Sequence, residues 1–363
     1  MNILTFGEIM MHIKPKANLL FSQSLPGTLH VGFGGAEANV AVSLSILENN
    51  AKFMTSLPKN KVVDSLLSTL KSTGVNTSCI NFTKYGRLGI YFTEPGANQR
   101  PSEVVYDRAY SAISLAKPDE YNFDKALEGV NWVHLSGITP ALSENAYKSC
   151  LELAKKAKKK KVIISCDLNF RKKLWNWKPR VNQSDLAKEC ISKILPFVNL
   201  VIANEEDAEN IFGIRAKDAD VKAGKFNASG YEEVAKKIIK AFPNINKVAF
   251  TLRESISASH NNWGGMLYDA KGNKSYFAPV DVKGNYTPYE IRNIVDRVGA
   301  GDAFGAGLIH ALNSPDYQSP AKAIAFAVAA SCLKHSIQGD FNYTRLGEIK
   351  SLLKGNTTGR IQR

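Results

Sequence analysis

For most of its length the chain alternates short apolar, β-branched runs with stretches whose apolar positions recur every three or four residues. That alternation predicts β-α units on a mostly parallel sheet. Residues 3–6, 132–135, 162–166, 200–203 and 248–252 read as strands. Between them, 231–242 places Val234, Ile238 and Ala241 on one helical face, and Ser319-Pro320 supplies a cap and a first-turn proline for a helix over 321–335. Gly34-Gly35 opens a further helix over 36–44, and Gly299-Ala300-Gly301-Asp302 opens another whose following residues are small and apolar.

Two regions break the rhythm. Residues 10–33 and 86–112 hold extended runs with no helix between them, and they are expected to pair into a small antiparallel sheet standing off the main one. The expected organisation is therefore one α/β domain over 1–353, carrying a small β-sheet lid, with a flexible tail over 354–363.

Composition narrows this only modestly. A chain of 363 residues, 44% hydrophobic and 22% charged, is that of an ordinary globular protein. No window approaches the length of a membrane span and the N-terminus lacks a signal-peptide pattern, so a cytoplasmic location is expected. The five scattered cysteines read as reduced core thiols. A formal charge of +14 raises nucleic acid as a partner. Much of that charge, however, lies in Lys155 to Lys161, after a segment where Tyr147, Leu151 and Ala154 repeat at helical spacing. No aromatic residues interleave those lysines, so a solvated helix end is expected rather than a nucleic-acid surface.

Candidate chemistry concentrates at glycine turns and strand ends. Gly299 and Gly301 free the backbone to turn and let a ligand approach its amides, while the positive end of the following helix favours a phosphate or a developing negative charge. Asp302, in the first turn, is either a helix cap or a base beside that anion site. The spacing matches neither a Walker loop nor a dinucleotide fingerprint. Asp167-Leu168-Asn169-Phe170-Arg171 and Asn204-Glu205-Glu206-Asp207 each follow an expected strand, where open parallel sheets bind ligands. Arg171 could grip a carboxylate, and the acidic run could face Mg²⁺ through water or simply start a helix. In the lid, Tyr91, Arg100, Tyr106 and Arg108 suit a polar, acidic substrate or an edge strand guarded by charge. His134, His310 and His335 sit in apolar surroundings and read as packing residues.

Taken together, Gly34-Gly35 with Asn39, Asp167-x-Asn169-x-Arg171, Asn204-x-x-Asp207 and Gly299-Ala300-Gly301-Asp302 resemble, in order and spacing, the ribokinase-like (PfkB) carbohydrate kinases over nearly the whole chain. With Tyr91 and Tyr106-x-Arg108, they are most similar to that family's branch acting on 2-keto-3-deoxygluconate. The resemblance implies ATP-dependent transfer of the γ-phosphoryl to the primary hydroxyl of a sugar acid. Asp302 would be the base and the Gly299, Ala300 and Gly301 amides the anion hole. Gly34, Gly35, Asn39, Tyr91, Tyr106, Arg108, Asn169 and Arg171 would hold the substrate, the two arginines at its carboxylate. Asn204, Arg253 and Gly301 would serve the nucleotide, and Asp207 would serve Mg²⁺ through water. A homodimer joined through the lids is also implied. The rival readings are a kinase of a neutral sugar or nucleoside and a non-catalytic sugar-acid-binding regulator. Where the family carries Asp-Thr before its glycine turn this chain has Asp296-Arg297, and residues 254–263 read as a polar insertion.

Overall fold

The computed structural model describes residues 1–214 and 228–356. The expected α/β architecture is present. Among the described residues the main sheet has nine strands, and its parallel part runs Asn50–Met54, Asn2–Phe6, Trp132–Ser136, Ile163–Asp167, Leu200–Ala203, Lys247–Ser257. Beyond that the pairing becomes antiparallel, through His260–Asp269 to Lys274–Ala278, with Tyr289–Ile291 also against His260–Asp269.

Strand alternation divides the core in two. Val133 and Leu135 face the cluster beneath helices Glu144–Lys159 and Gln183–Ile194. Trp132, Leu200 and Ile202 face the opposite cluster, beneath Ala36–Ile46, Ala300–Leu312 and Pro320–Lys334. Both faces are thus covered, as a parallel sheet requires. Helices Ala300–Leu312 and Pro320–Lys334 approach closely at Gly307, where a β-carbon would stand 3.1 Å from Ala327 Cα. The lysine-rich stretch does end a helix, Glu144–Lys159, and Lys156 pairs with Asp124 at 2.6 Å.

The lid is a four-stranded sheet in the order His30–Gly34, Met10–Lys14, Gly89–Glu94, Glu103–Asp107. It departs from the expected antiparallel sheet because its central pair, Met10–Lys14 with Gly89–Glu94, is parallel, while both outer pairs are antiparallel. The two central strands come from segments separated by an entire β-α-β excursion, and such a connection can return the chain in the same direction. The short helix Phe21–Ser24 also interrupts the first lid segment. Residues 254–263, read as a polar insertion, are extended and paired. They form the extended tip of the hairpin made by Lys247–Ser257 and His260–Asp269, with a register shift between Ser255 and Ser257. Of the expected tail, 357–363 lies outside the described residues.

Candidate active site

The C-terminal ends of the parallel strands, the underside of the lid and the start of helix Ala300–Leu312 enclose a cleft of ≈ 450 Å³. At its floor lies the glycine turn. Gly299 sits at φ +79°, and a β-carbon there would fall 2.1 Å from the Asp340 carbonyl oxygen, so only glycine fits. Gly301 has open space where a side chain would stand, which leaves its backbone approachable. The Ala300 amide, expected to face an anion with its neighbours, instead donates to the Arg297 carbonyl at 3.3 Å. The tight turn at Gly299 folds that amide back on the preceding residue.

Gly299, not Asp302, holds the N-cap position of this helix, and among the described residues Asp302 makes no side-chain hydrogen bond to the helix backbone, which argues against the cap reading. Its carboxylate accepts from Asn39 Nδ2 at 2.7 Å, while Asn39 Oδ1 accepts from the Gly35 amide at 3.2 Å. Burial pushes the Asp302 pKa up to about 7. The Asn39 hydrogen bond opposes that rise, and the Glu37 and Asp340 charges add to it. A carboxyl poised near neutrality beside an open glycine backbone suits a general base acting where negative charge develops.

Strand Ile163–Asp167 delivers the second group. Asp167 accepts from the Asn169 amide at 3.1 Å, and Asn169 adopts φ +36°, a turn that asparagine tolerates. Arg171 makes one hydrogen bond, to the Phe170 carbonyl at 3.2 Å, and its guanidinium lines the cleft without a carboxylate partner among the described residues. Asp167 lies near Asp207 and Asp302. Burial first, then those two charges, raise its pKa well above the ordinary value.

Several expected ligands are already engaged. Arg108, matched in the sequence to a substrate carboxylate, is buried and paired with Glu8, its Nε 2.8 Å from Glu8 Oε2. Tyr106 packs its ring against that guanidinium, 5.4 Å from the centroid. The Tyr91 hydroxyl donates to Asp340, whose other oxygen meets His12 Nδ1 at 2.6 Å. Gly34 stands behind the wall, where a β-carbon would meet Asp340 Oδ1 at 1.8 Å, so it serves close packing, whereas Gly35 lines the cleft.

Asn204 caps helix Glu205–Phe212, accepting from the Glu206 and Asp207 amides at 2.9 and 3.0 Å. Asp207 returns the bond to the Asn204 amide and takes the Phe170 amide as well, both at 2.9 Å. Each of its oxygens thus holds a backbone amide, which ties the carboxylate to the helix start. Among the described residues no group of three or more His, Cys, Asp or Glu could hold a metal ion. The exposed Glu206 and the crowded Asp167 also line the cleft, an arrangement that fits Mg²⁺ carried on phosphates with its own waters rather than a protein-built cage. Bound there, Mg²⁺ would neutralise phosphate charge.

The sequence reading missed Glu8, Glu37, Asp340 and Lys334. Glu37 is buried. Its Oε1 accepts from Ser136 and Thr139 at 2.7 and 2.6 Å, while Oε2 has no partner. Lys334 is fully buried beside the glycine turn, with burial lowering its pKa. A charge inside an otherwise apolar helical run was the available signal for both. The three histidines do pack: His134 is buried against Ser165, His310 stacks on Phe326, and His335 edges against Trp263.

The description "pfkB family carbohydrate kinase" matches residues 1–240. The chain belongs to that family. It is 39% identical to 2-dehydro-3-deoxygluconokinase of Thermotoga maritima, with a TM-score of 0.87 over 98% of this chain and 100% of that one. A PfkB family carbohydrate kinase from Listeria grayi is 31% identical, with a TM-score of 0.84 over 98% and 100% of the two chains. The 2-dehydro-3-deoxygalactonokinase of Haloferax volcanii is 28% identical over 98% of each chain. The fold is accordingly that of an ATP-dependent sugar kinase.

Proposed function

We propose that this protein phosphorylates a 2-keto-3-deoxy sugar acid of the 2-keto-3-deoxygluconate type at its primary hydroxyl, using Mg²⁺-ATP. The observation that carries the reading is the Arg171 guanidinium, which lines the same cleft as Asp302 and, though near the Asp167, Asp207 and Asp302 charges, is ion-paired to no carboxylate among the described residues. A neutral sugar needs no such cation, whereas a substrate carboxylate matches it bidentately. Asp302 takes the hydroxyl proton, and the helix start at Gly301 faces the transferring phosphoryl group. Catalysis is then mostly positioning and charge stabilisation. Arg108, already paired with Glu8, shapes the substrate wall and is not the primary carboxylate ligand. The 39% and 28% identical sugar-acid kinases support the substrate class. We also place the protein in the cytoplasm as a homodimer joined through its lids.

The test is an ADP-release assay across 2-keto-3-deoxygluconate, 2-keto-3-deoxygalactonate, fructose and ribose. A kcat/KM at least 100-fold higher for a keto acid than for either neutral sugar is expected. Preference for fructose or ribose would return the neutral-sugar reading, and absence of turnover on every acceptor would favour a sugar-acid-binding regulator.

A further inference from the structure

The hairpin tip at 254–263 and the residue before the glycine turn meet at one side chain. Arg297 Nη2 donates to the Ser257 carbonyl and to Asn261 Oδ1, the latter at 3.0 Å. Asn261 is itself only 1% exposed, so this anchor is built into the protein interior. The register shift between Ser255 and Ser257 falls at the residue whose carbonyl holds the arginine, and such irregularities re-aim backbone groups.

The rest of the guanidinium is unspent. Arg297 Nε is buried without a partner, Nη1 makes no hydrogen bond, and no carboxylate pairs with the side chain among the described residues. By contrast, Arg87, Arg100, Arg108 and Arg292 each have a carboxylate. Arg253, on the same hairpin, also lines the cleft without one. The buried Trp263 indole N–H nearby is likewise unpartnered. This wall therefore carries unspent donors and two like charges with no carboxylate among the described residues, an arrangement that costs free energy until an anion fills it.

We propose that Arg297, aimed by the hairpin, grips the polyphosphate of ATP and takes up the charge that collects on the β-phosphate as the γ-phosphoryl departs. The proposal rests on the phosphotransfer reading above. In that step the sugar hydroxyl oxygen bonds to Pγ and its proton passes to Asp302. The bond between Pγ and the bridging oxygen breaks, and its electron pair stays on the β-phosphate. Arg297 lies two residues before Gly299, so the chain itself sets the cation beside the anion site, whereas Arg171 enters from a different strand. The hairpin tip is then a positioning element for a phosphate ligand.

Calorimetric titration of ADP, inorganic tripolyphosphate and adenosine, each with and without Mg²⁺, tests this on wild type, Arg297→Met, Arg297→Lys and Asn261→Ala. Loss of a charge-assisted bidentate contact is expected to weaken ADP and tripolyphosphate binding by about tenfold or more in Arg297→Met, with adenosine unchanged. Arg297→Lys should recover part of the loss, and Asn261→Ala should show a smaller loss of the same kind. In turnover, KM for ATP rises and kcat falls while KM for the keto acid holds. Unchanged ADP and tripolyphosphate affinity in Arg297→Met overturns the proposal. So does a raised keto-acid KM with ATP unaffected, which would make Arg297 an acceptor-site residue. Should wild type phosphorylate none of the acceptors, the phosphotransfer reading fails, while the ADP and tripolyphosphate titrations still decide what Arg297 binds.

Discussion

Asp302 combines enclosure, a single amide partner in Asn39 and nearby acidic charge, and burial holds its carboxyl near pH 7 rather than near 4. A base must be unprotonated to accept the hydroxyl proton, so kcat/KM for the keto acid should climb from pH 6 and level off above about pH 8. A flat profile across that range would remove Asp302 as the titrating group. Asp302→Asn should lose about 10²- to 10⁴-fold in kcat. The linkage has the opposite sense: a raised folded-state pKa stabilises the fold at low pH, and that contribution is lost as pH rises from the unfolded value toward 7. Asp302→Asn should therefore melt higher than wild type at pH 8, with the gap closing at pH 4. Arg171→Ala tests the carboxylate ligand: KM for the keto acid should rise about 10- to 100-fold with KM for ATP unchanged, as for loss of a charge-assisted bidentate contact. Equal KM values in wild type and variant would discard that assignment. These residues were legible because strand ends and glycine turns announce themselves locally. Glu8 and Asp340 were not, because each is defined by a partner about 100 or more positions away, Arg108 for one and Tyr91 and His12 for the other.

Between elements, the lid and the catalytic turn share a carboxylate. Lys14 Nζ, at the end of a lid strand, lies 2.5 Å from Asp296 Oδ2, which also accepts the Gly339 amide at 2.9 Å. Asp296 Oδ1 takes the Val298 amide at 3.1 Å, just ahead of Gly299. Burial works against the charge on Asp296, but Lys14, the Gly339 amide and the Lys334 charge together outweigh it and the pKa is lowered. Lys14→Met should then cost about 3–5 kcal/mol, the usual penalty for stripping a buried pair of one partner. Chemical denaturation at pH 7 checks this, and the deficit should shrink as pH falls through the carboxylate range, where Asp296 protonates. A wild-type midpoint would show that the pair contributes nothing. Five of the six parallel main-sheet strands were read from sequence because both faces are buried and the runs are plainly apolar, whereas Asn50–Met54 and the three antiparallel strands were not. The hairpin tip at 254–263 was not, since its residues are mostly polar and show no apolar run, and only pairing across His260–Asp269 makes them extended. The parallel pair in the lid was equally hidden, as direction depends on the connection and not on the strands themselves.

For the whole molecule, the lid poses a question of cover. Tyr91, Thr93, Val104 and Tyr106 turn toward the cleft, so alternation sends their neighbours to the opposite face. There the register aligns Val31, Ile13, Phe92 and Val105 in one cross-strand row, and Phe33, Met11 and Ile90 beside it. Val31 and Val105 are each 60% exposed. Phe92 is partly covered by Phe21, which leaves Val31 and Val105 at the two ends of the row open to water, and a second copy offers a self-complementary cover of the same composition. Pairing there would also stiffen the strands that carry Tyr91 and Tyr106 over the cleft, so assembly and substrate affinity should move together. Sedimentation of wild type at micromolar concentration should give a dimer. The double variant Val31→Asp, Val105→Asp places like charges in that row without touching the cleft, and it should sediment as a monomer with a raised keto-acid KM and a nearly unchanged KM for ATP. A monomeric wild type would leave the apolar row to some other partner, and a double variant that stays dimeric would move the interface away from the lid.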